Sequence, residues 1–163
     1  MKFYENLEDA MKHLTTRGAF LTVKDDTGVN TMTIAWGYIG YSWNKPFFVA
    51  MVRPQRYTFE FLKTAKDYTI SIPFSDDMKE ALTICGTKSG RDIDKEKEAN
   101  IKFIPSKNVS SPIVDNCNIY YECKIKYIDR LNKDNFPEDL KKNYPIDDYH
   151  FMYYGEIIDC YKI

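Results

Sequence analysis

The chain has 163 residues, 44% of them hydrophobic, 15% aromatic and 29% charged, with a formal net charge of −1. That length suits one domain, residues 1–163, with enough apolar material for a real core, and the composition excludes a disordered chain. The near-neutral charge excludes the single-sign field that gathers nucleic acid or anionic lipid, and no apolar run approaches the roughly 20 residues of a membrane-spanning helix.

Four cysteines form no C-x-x-C pair, no signal peptide is recognisable, and His13 and His150 lie far apart. The expectation is a cytoplasmic protein with reduced thiols, no metal, no nucleic-acid partner and no membrane.

The first element is a short amphipathic helix over residues 6–16. Asn6 is placed to cap it, Leu7, Ala10, Met11 and Leu14 share one face, and Gly18 stops it. Residues 19–24 and 29–36 read as two strands of a hairpin around Asp25-Asp26-Thr27-Gly28. The apolar run 47–52 suits a strand buried on both faces, and a helix is expected over about 58–65. Residues 68–72 form a further strand. Ser75 is placed to cap a helix that Gly86 terminates.

Residues 91–98 mix charges of both signs and read as a solvated face. From Ile119 to Tyr127 apolar and polar residues alternate, the pattern of a half-buried antiparallel strand. Residues 134–144 are polar, carry Pro137 and have room for one short helix. Residues 151–161 close the chain as a strand in which Gly155 marks a bulge. Many short strands and few helices predict a mainly β barrel or sandwich, and the strand-only stretches after residue 100 argue against a doubly wound parallel sheet.

Four segments carry candidate chemistry. In Asn30-Thr31-Met32-Thr33-Ile34-Ala35-Trp36, Thr31, Thr33 and Ala35 share one face and Met32, Ile34 and Trp36 the other. Such a strand suits a flat, polar-edged ring, reached by its backbone N–H groups; the alternative is a strand with a solvated Thr face. Arg53, Arg56, Tyr57 and Thr58 stand where a buried strand gives way to a helix. They read either as a phosphate-binding turn or as surface arginines beside a helix cap. Lys88, Ser89, Gly90 and Arg91 form a plausible anion cradle, or the charged loop after a helix end; Ala81 stands where a Walker A motif needs its first Gly. His150 has no neighbouring nucleophile, so a hydrolase finds no support, and the His reads as packed or as catalytic.

The order of these segments is more specific than any one of them. N-x-M-T-x-x-W, then P-x-x-x-x-x-x-R-x-x-R-x-T, then C-G-x-x-S-G-R-D-x-D-K, then H-x-x-x-x-G-E-I resembles the flavin reductase-like family, most closely its short flavoredoxin-type members. The match runs over about residues 20–158. The resemblance implies an FMN-binding split β-barrel with a few peripheral helices, working as a homodimer. It implies an NAD(P)H-dependent oxidoreductase passing electrons through FMN to an acceptor, including an electron-acceptor protein. It places Asn30 to Trp36 along the isoalloxazine ring, and Arg53, Arg56, Tyr57 and Thr58 toward the phosphate. Lys88, Ser89, Gly90 and Arg91 would supply further contacts, and His150 would stand near the flavin, where some reductases place the nicotinamide. An FMN carrier or sensor module reduced by a protein partner, without nicotinamide activity, is the alternative.

Overall fold

The computed structural model describes residues 2–162. Nine strands are present: β1 Ala19–Asp25, β2 Gly28–Ile34, β3 Gly37–Ser42, β4 Lys45–Val52, β5 Asp67–Ile72, β6 Phe103–Ile104, β7 Ile113–Val114, β8 Ile119–Arg130 and β9 Phe151–Lys162. The helices are short: α1 Leu7–Thr16, α2 Tyr57–Leu62, α3 Lys79–Thr87, α4 Lys95–Glu98 and α5 Glu138–Lys141. Seven strands form one sheet in the order β2-β1-β5-β8-β9-β4-β3, every pairing antiparallel, and β6 pairs with β7 apart from it. The fold is mainly β, as the strand-rich sequence predicts.

The β1–β2 hairpin closes where expected because Asp25 Oδ1 accepts from Thr27 N at 2.8 Å and from the Thr27 hydroxyl at 2.6 Å, a side-chain-locked turn. Successive residues of β1 then serve two cores. Leu21 and Val23 join Met32, Ile34, Phe48 and Tyr121 inside the curved sheet. Phe20 joins Leu82, Cys85, Ile113 and Tyr120 on the other face, beneath α3 and the β6–β7 pair. Each such side chain contributes roughly 1.5–3 kcal/mol by leaving water.

That second layer corrects the half-buried reading of β8. Tyr120 and Glu122, on its polar face, are as buried as Tyr121 and Cys123. Glu122 is satisfied there by the N–H groups of Lys107 (2.7 Å) and Asn108 (2.6 Å) and by the Tyr161 hydroxyl (2.7 Å). Several local expectations also shift. Asn6 and Ser75 make no capping hydrogen bond, and Gly86 lies inside the last turn of α3 instead of ending it. Thr58 does not cap α2, whose N-cap is Arg56. β2 ends at Ile34, and the chain turns into an unpredicted strand, β3. The irregularity expected at Gly155 falls opposite it, between Ile125 and Tyr127 of β8. Gly155 itself is required because a Cβ would collide with the Tyr68 phenol, which donates to Phe48 O across the core with Tyr153 O 3.1 Å from the same oxygen.

Among the described residues no helix is long and apolar enough to cross a membrane. No group of three or more His, Cys, Asp or Glu could hold a metal ion.

Candidate functional site

β2 is an end strand of the sheet, so one of its edges has no strand partner. The tight turn pairs Asp25 with Gly28, and from there Asn30, Met32 and Ile34 direct their backbone groups to β1. Thr31 and Thr33 therefore turn their N–H and C=O groups to the free edge, where Lys95 Nζ reaches Thr31 O at 2.6 Å. Their hydroxyls are already engaged. Thr31 bonds the Thr22 hydroxyl (2.9 Å) and Leu21 O (3.1 Å), and Thr33 donates to Leu82 O at 2.6 Å. The Thr hydroxyls are thus already engaged, Thr31 wholly buried and Thr33 half-buried, so the backbone edge is what remains to hydrogen-bond a ligand.

Two adjoining hollows of about 220 and 170 Å³ run along this edge and share Met32 and Arg56. The first is the aromatic end. It is lined by Met32, Thr33, Ile34, Ala35 and Trp36, with Met51, Arg53, Arg56, Gly86 and His150 opposite. The second is the basic end, lined by Asn30, Arg56, Tyr57, Thr58, Lys88, Ser89 and Arg91, with Gln55, Thr87 and Lys95. Thr31 and Gly90 border a third hollow beside it, which Lys95 also lines. The sequence-predicted residues, separated by up to 120 positions, are therefore gathered around one cleft.

At the basic end the packing is close. Asn30 Nδ2 donates to Thr58 Oγ1 at 2.7 Å, both buried, and a Cβ on Gly90 would collide with Asn30 Oδ1. Only glycine lets the 88–91 loop lie so near the strand. Arg56 donates to Gly86 O at 2.8 Å, and burial, then the charge of Arg53, lowers its pKa. Arg91 covers the Tyr57 ring at 4.8 Å.

Lys95 is the residue that the sequence reading missed. The charged run 91–98 is not uniformly solvated: Lys95 is 7% exposed. Asp94 caps α4 by accepting from Glu96 N and Lys97 N, which fixes the helix so that Lys95 and Ala99, one turn apart, both face inward. The Lys95 ammonium donates to Thr31 O and Cys85 O, the latter at 3.1 Å. Burial pushes its pKa down to about 8, with Cys85 opposing and Arg56 reinforcing the shift. Among the described residues neither Lys95 nor Arg56 has a carboxylate within ion-pair distance. The apolar Ala99 spaced with Lys95 was the available signal.

At the aromatic end Arg53 is fully matched. It donates to Asp148 Oδ2 at 2.6 Å and to Asn143 O at 2.9 Å, and its guanidinium lies 4.9 Å from the Tyr144 ring centre. Burial works against the Asp148 charge, but Arg53 and Gln55 more than offset it and hold the carboxyl below its ordinary range. His150 is 6% exposed, 5.2 Å from the Trp36 ring centre, with Nδ1 2.8 Å from the Tyr144 hydroxyl. Burial, then Arg53, pushes its pKa down to about 4, so the imidazole is neutral at pH 7.

The molecule is thus an antiparallel β domain with a basic hollow and an aromatic hollow side by side along a free strand edge. Over residues 11–162 the chain matches the flavin reductase like domain, and it belongs to that family. Its fold is shared with the flavoredoxin of Desulfovibrio vulgaris (Miyazaki F), at TM-score 0.70 and 22% identity, covering 91% of this chain and 70% of that one. An FMN-binding protein from Thermus thermophilus with bound p-hydroxybenzaldehyde superposes at TM-score 0.70 and 20% identity, covering 90% and 71%. A Shewanella frigidimarina structure described as having a split barrel domain gives TM-score 0.70 at 17% identity, covering 99% and 76%. An uncharacterized protein of Archaeoglobus fulgidus is 23% identical over 115 residues, which are 71% of this chain and 64% of that relative's length.

Proposed function

We propose that this chain is an oxidoreductase that holds FMN in the joined hollows, takes electrons from NAD(P)H and passes them to a second acceptor, such as a partner protein. The observation that carries the reading is the pair of cations at the basic end, Lys95 and Arg56, neither of which has a carboxylate within ion-pair distance among the described residues. A buried ammonium bonded only to carbonyls is costly without a counter-anion, and a phosphate supplies one. The residues present fit such a group. Gly90 keeps a loop close, Ser89 and Lys88 border the same hollow, and the free-edge N–H groups of Thr31 and Thr33 run from there toward Trp36.

In this reading Arg56 and Lys95 hold the phosphate, with Lys88, Ser89 and Arg91 around it. The Thr31 and Thr33 N–H groups offer donors to polar edges of a ring, and Met32, Ile34 and Trp36 supply apolar contact. Arg53 serves as a wall of the aromatic end, because Asp148 already neutralises it. FMN, when bound, supplies hydride acceptance and onward electron transfer, and the protein supplies binding, orientation and electrostatics.

The exposed aromatic cluster of Tyr38, Trp43 and Tyr127 around Tyr154 supports a homodimer, since large apolar side chains clustered in water mark an interaction surface. Light scattering on the purified protein checks it. Buried free thiols at Cys85, Cys117 and Cys123 fit a reducing, cytoplasmic setting.

The test of function is the visible spectrum of the purified protein, then anaerobic mixing with NADH and NADPH. A flavin spectrum, with FMN released on denaturation and bleached by one of the donors, is the expected result. Colourless protein that takes up no added FMN overturns the cofactor assignment. Bound FMN that neither donor reduces overturns the nicotinamide step and favours a carrier reduced by a protein.

A further inference from the structure

The segment between β8 and β9 contributes Tyr144, which matches none of the motifs behind the family resemblance. Tyr144 is 5% exposed, and its hydroxyl has one described partner, His150 Nδ1 at 2.8 Å. Two proton arrangements satisfy that distance. If His150 donated from Nδ1, the Tyr144 O–H proton would be left buried with no acceptor. If Tyr144 donates, its hydroxyl proton is placed on Nδ1, and the imidazole proton sits on Nε2, on a ring that lines the hollow. The surroundings keep Tyr144 a donor: burial raises its pKa against the weaker opposing effect of Arg53. The ring is held from three sides, stacked on Tyr149 at 4.4 Å, edge-on to Phe136 at 5.5 Å, and under the Arg53 guanidinium. His150 is held in turn through its backbone, where Leu131 N donates to His150 O at 3.0 Å.

We infer that Tyr144 is a positioning residue that fixes His150 in the Nε2–H tautomer, so that the cleft's aromatic end presents a neutral N–H donor to a carbonyl-type acceptor of the bound ligand. The charged groups around it agree with a neutral ring. Arg53 stands beside it and opposes a second positive charge; Asp148 pulls weakly the other way, but its Oδ2 is held by Arg53 and Gln55 and its Oδ1 makes no hydrogen bond to the ring. The Arg53–Asp148 pair thus does two things. It pins residues 143–148 to the cleft wall, and it brings Tyr144 to His150.

The tautomer is readable in the protein without cofactor, independently of the FMN reading on which the role in electron transfer rests. The chain has two histidines, so a His13→Gln variant assigns both in a two-bond 1H–15N correlation spectrum. At pH 7 wild-type His150 is expected to be protonated on Nε2 alone, and Tyr144→Phe, which keeps the stacked ring, to give mixed tautomers. Reduction by the nicotinamide donor should then slow by about tenfold while FMN affinity changes less than about twofold. A wild-type His150 protonated on Nδ1, or an imidazolium at pH 7, overturns the inference, as does an unchanged tautomer in Tyr144→Phe. Absence of FMN binding with the expected tautomer overturns the cofactor reading and leaves the positioning role standing.

Discussion

Arg53 and Arg56 leave the same turn, yet they do different work at the two ends of the cleft. Arg53 meets a carboxylate and a carbonyl from a segment nearly a hundred residues away. Arg56 meets only the carbonyl of Gly86 and stands with Lys95 as an unmatched pair of cations. The difference teaches that residue type does not separate a structural arginine from a ligand-binding one. The presence or absence of a counter-charge does. A cation already paired holds the fold together, and on the proposed reading one left unpaired is where an anion binds.

The sharpest way to break this comparison is to remove each arginine in turn. Arg53→Ala strips the buried Asp148 of its cation and frees residues 143–148. Because Arg53 is itself partly exposed, we expect a loss of about 2–3 kcal/mol, somewhat below the usual cost of halving a buried pair. Urea unfolding of the apo protein measures it as a lower midpoint at unchanged slope. Arg56→Ala should leave that midpoint within about 0.5 kcal/mol, because no protein charge depends on it. Its effect should fall on FMN instead, weakening retention by about 10–100-fold through loss of a charge-assisted contact. If Arg53→Ala costs flavin and Arg56→Ala costs stability, the division between the two ends is wrong.

A smaller and more specific effect follows from Lys95. Its pKa in the empty site lies near 8, and an anion binds the protonated form. Below pH 8 the ammonium is already present, so affinity should not change with its titration. Above pH 8 binding must draw a proton onto Lys95, so affinity should fall, by at most about tenfold per pH unit. Fluorescence titration of FMN from pH 7 to 10 checks the slope, and Lys95→Gln should flatten it.

Much of the fold was legible because its signals are local. The Asp25–Gly28 turn, the apolar run of β4 and the long alternation of β8 each declare themselves within a few residues. β3 did not, since Gly37 and Gly40 dilute its pattern and its edge position leaves Tyr38 and Tyr41 exposed. The second core was also hidden: nothing in the polar face of β8 reveals that the 105–112 loop covers Glu122. The site divides in the same way. Arg56, Thr58 and the 88–91 loop could be read from residue type and order. Lys95 closes the C-G-x-x-S-G-R-D-x-D-K motif, but its burial could not be read, because that depends on where Asp94 starts a four-residue helix. Nor could Asp148, whose partners Arg53 and Gln55 lie across the fold, or Tyr144, whose contact with His150 depends on how the irregular 143–150 segment folds back.

The most direct measurement compares FMN with riboflavin, which has the same ring and no phosphate, by fluorescence titration of the apo protein and of Arg56→Ala. If Lys95 and Arg56 are held ready for an anion, the wild type prefers FMN by at least about 100-fold, the equivalent of one or two charge-assisted hydrogen bonds, and the variant loses most of that preference. Equal affinity of the wild type for the two flavins, or a preference that survives loss of Arg56, would contradict it.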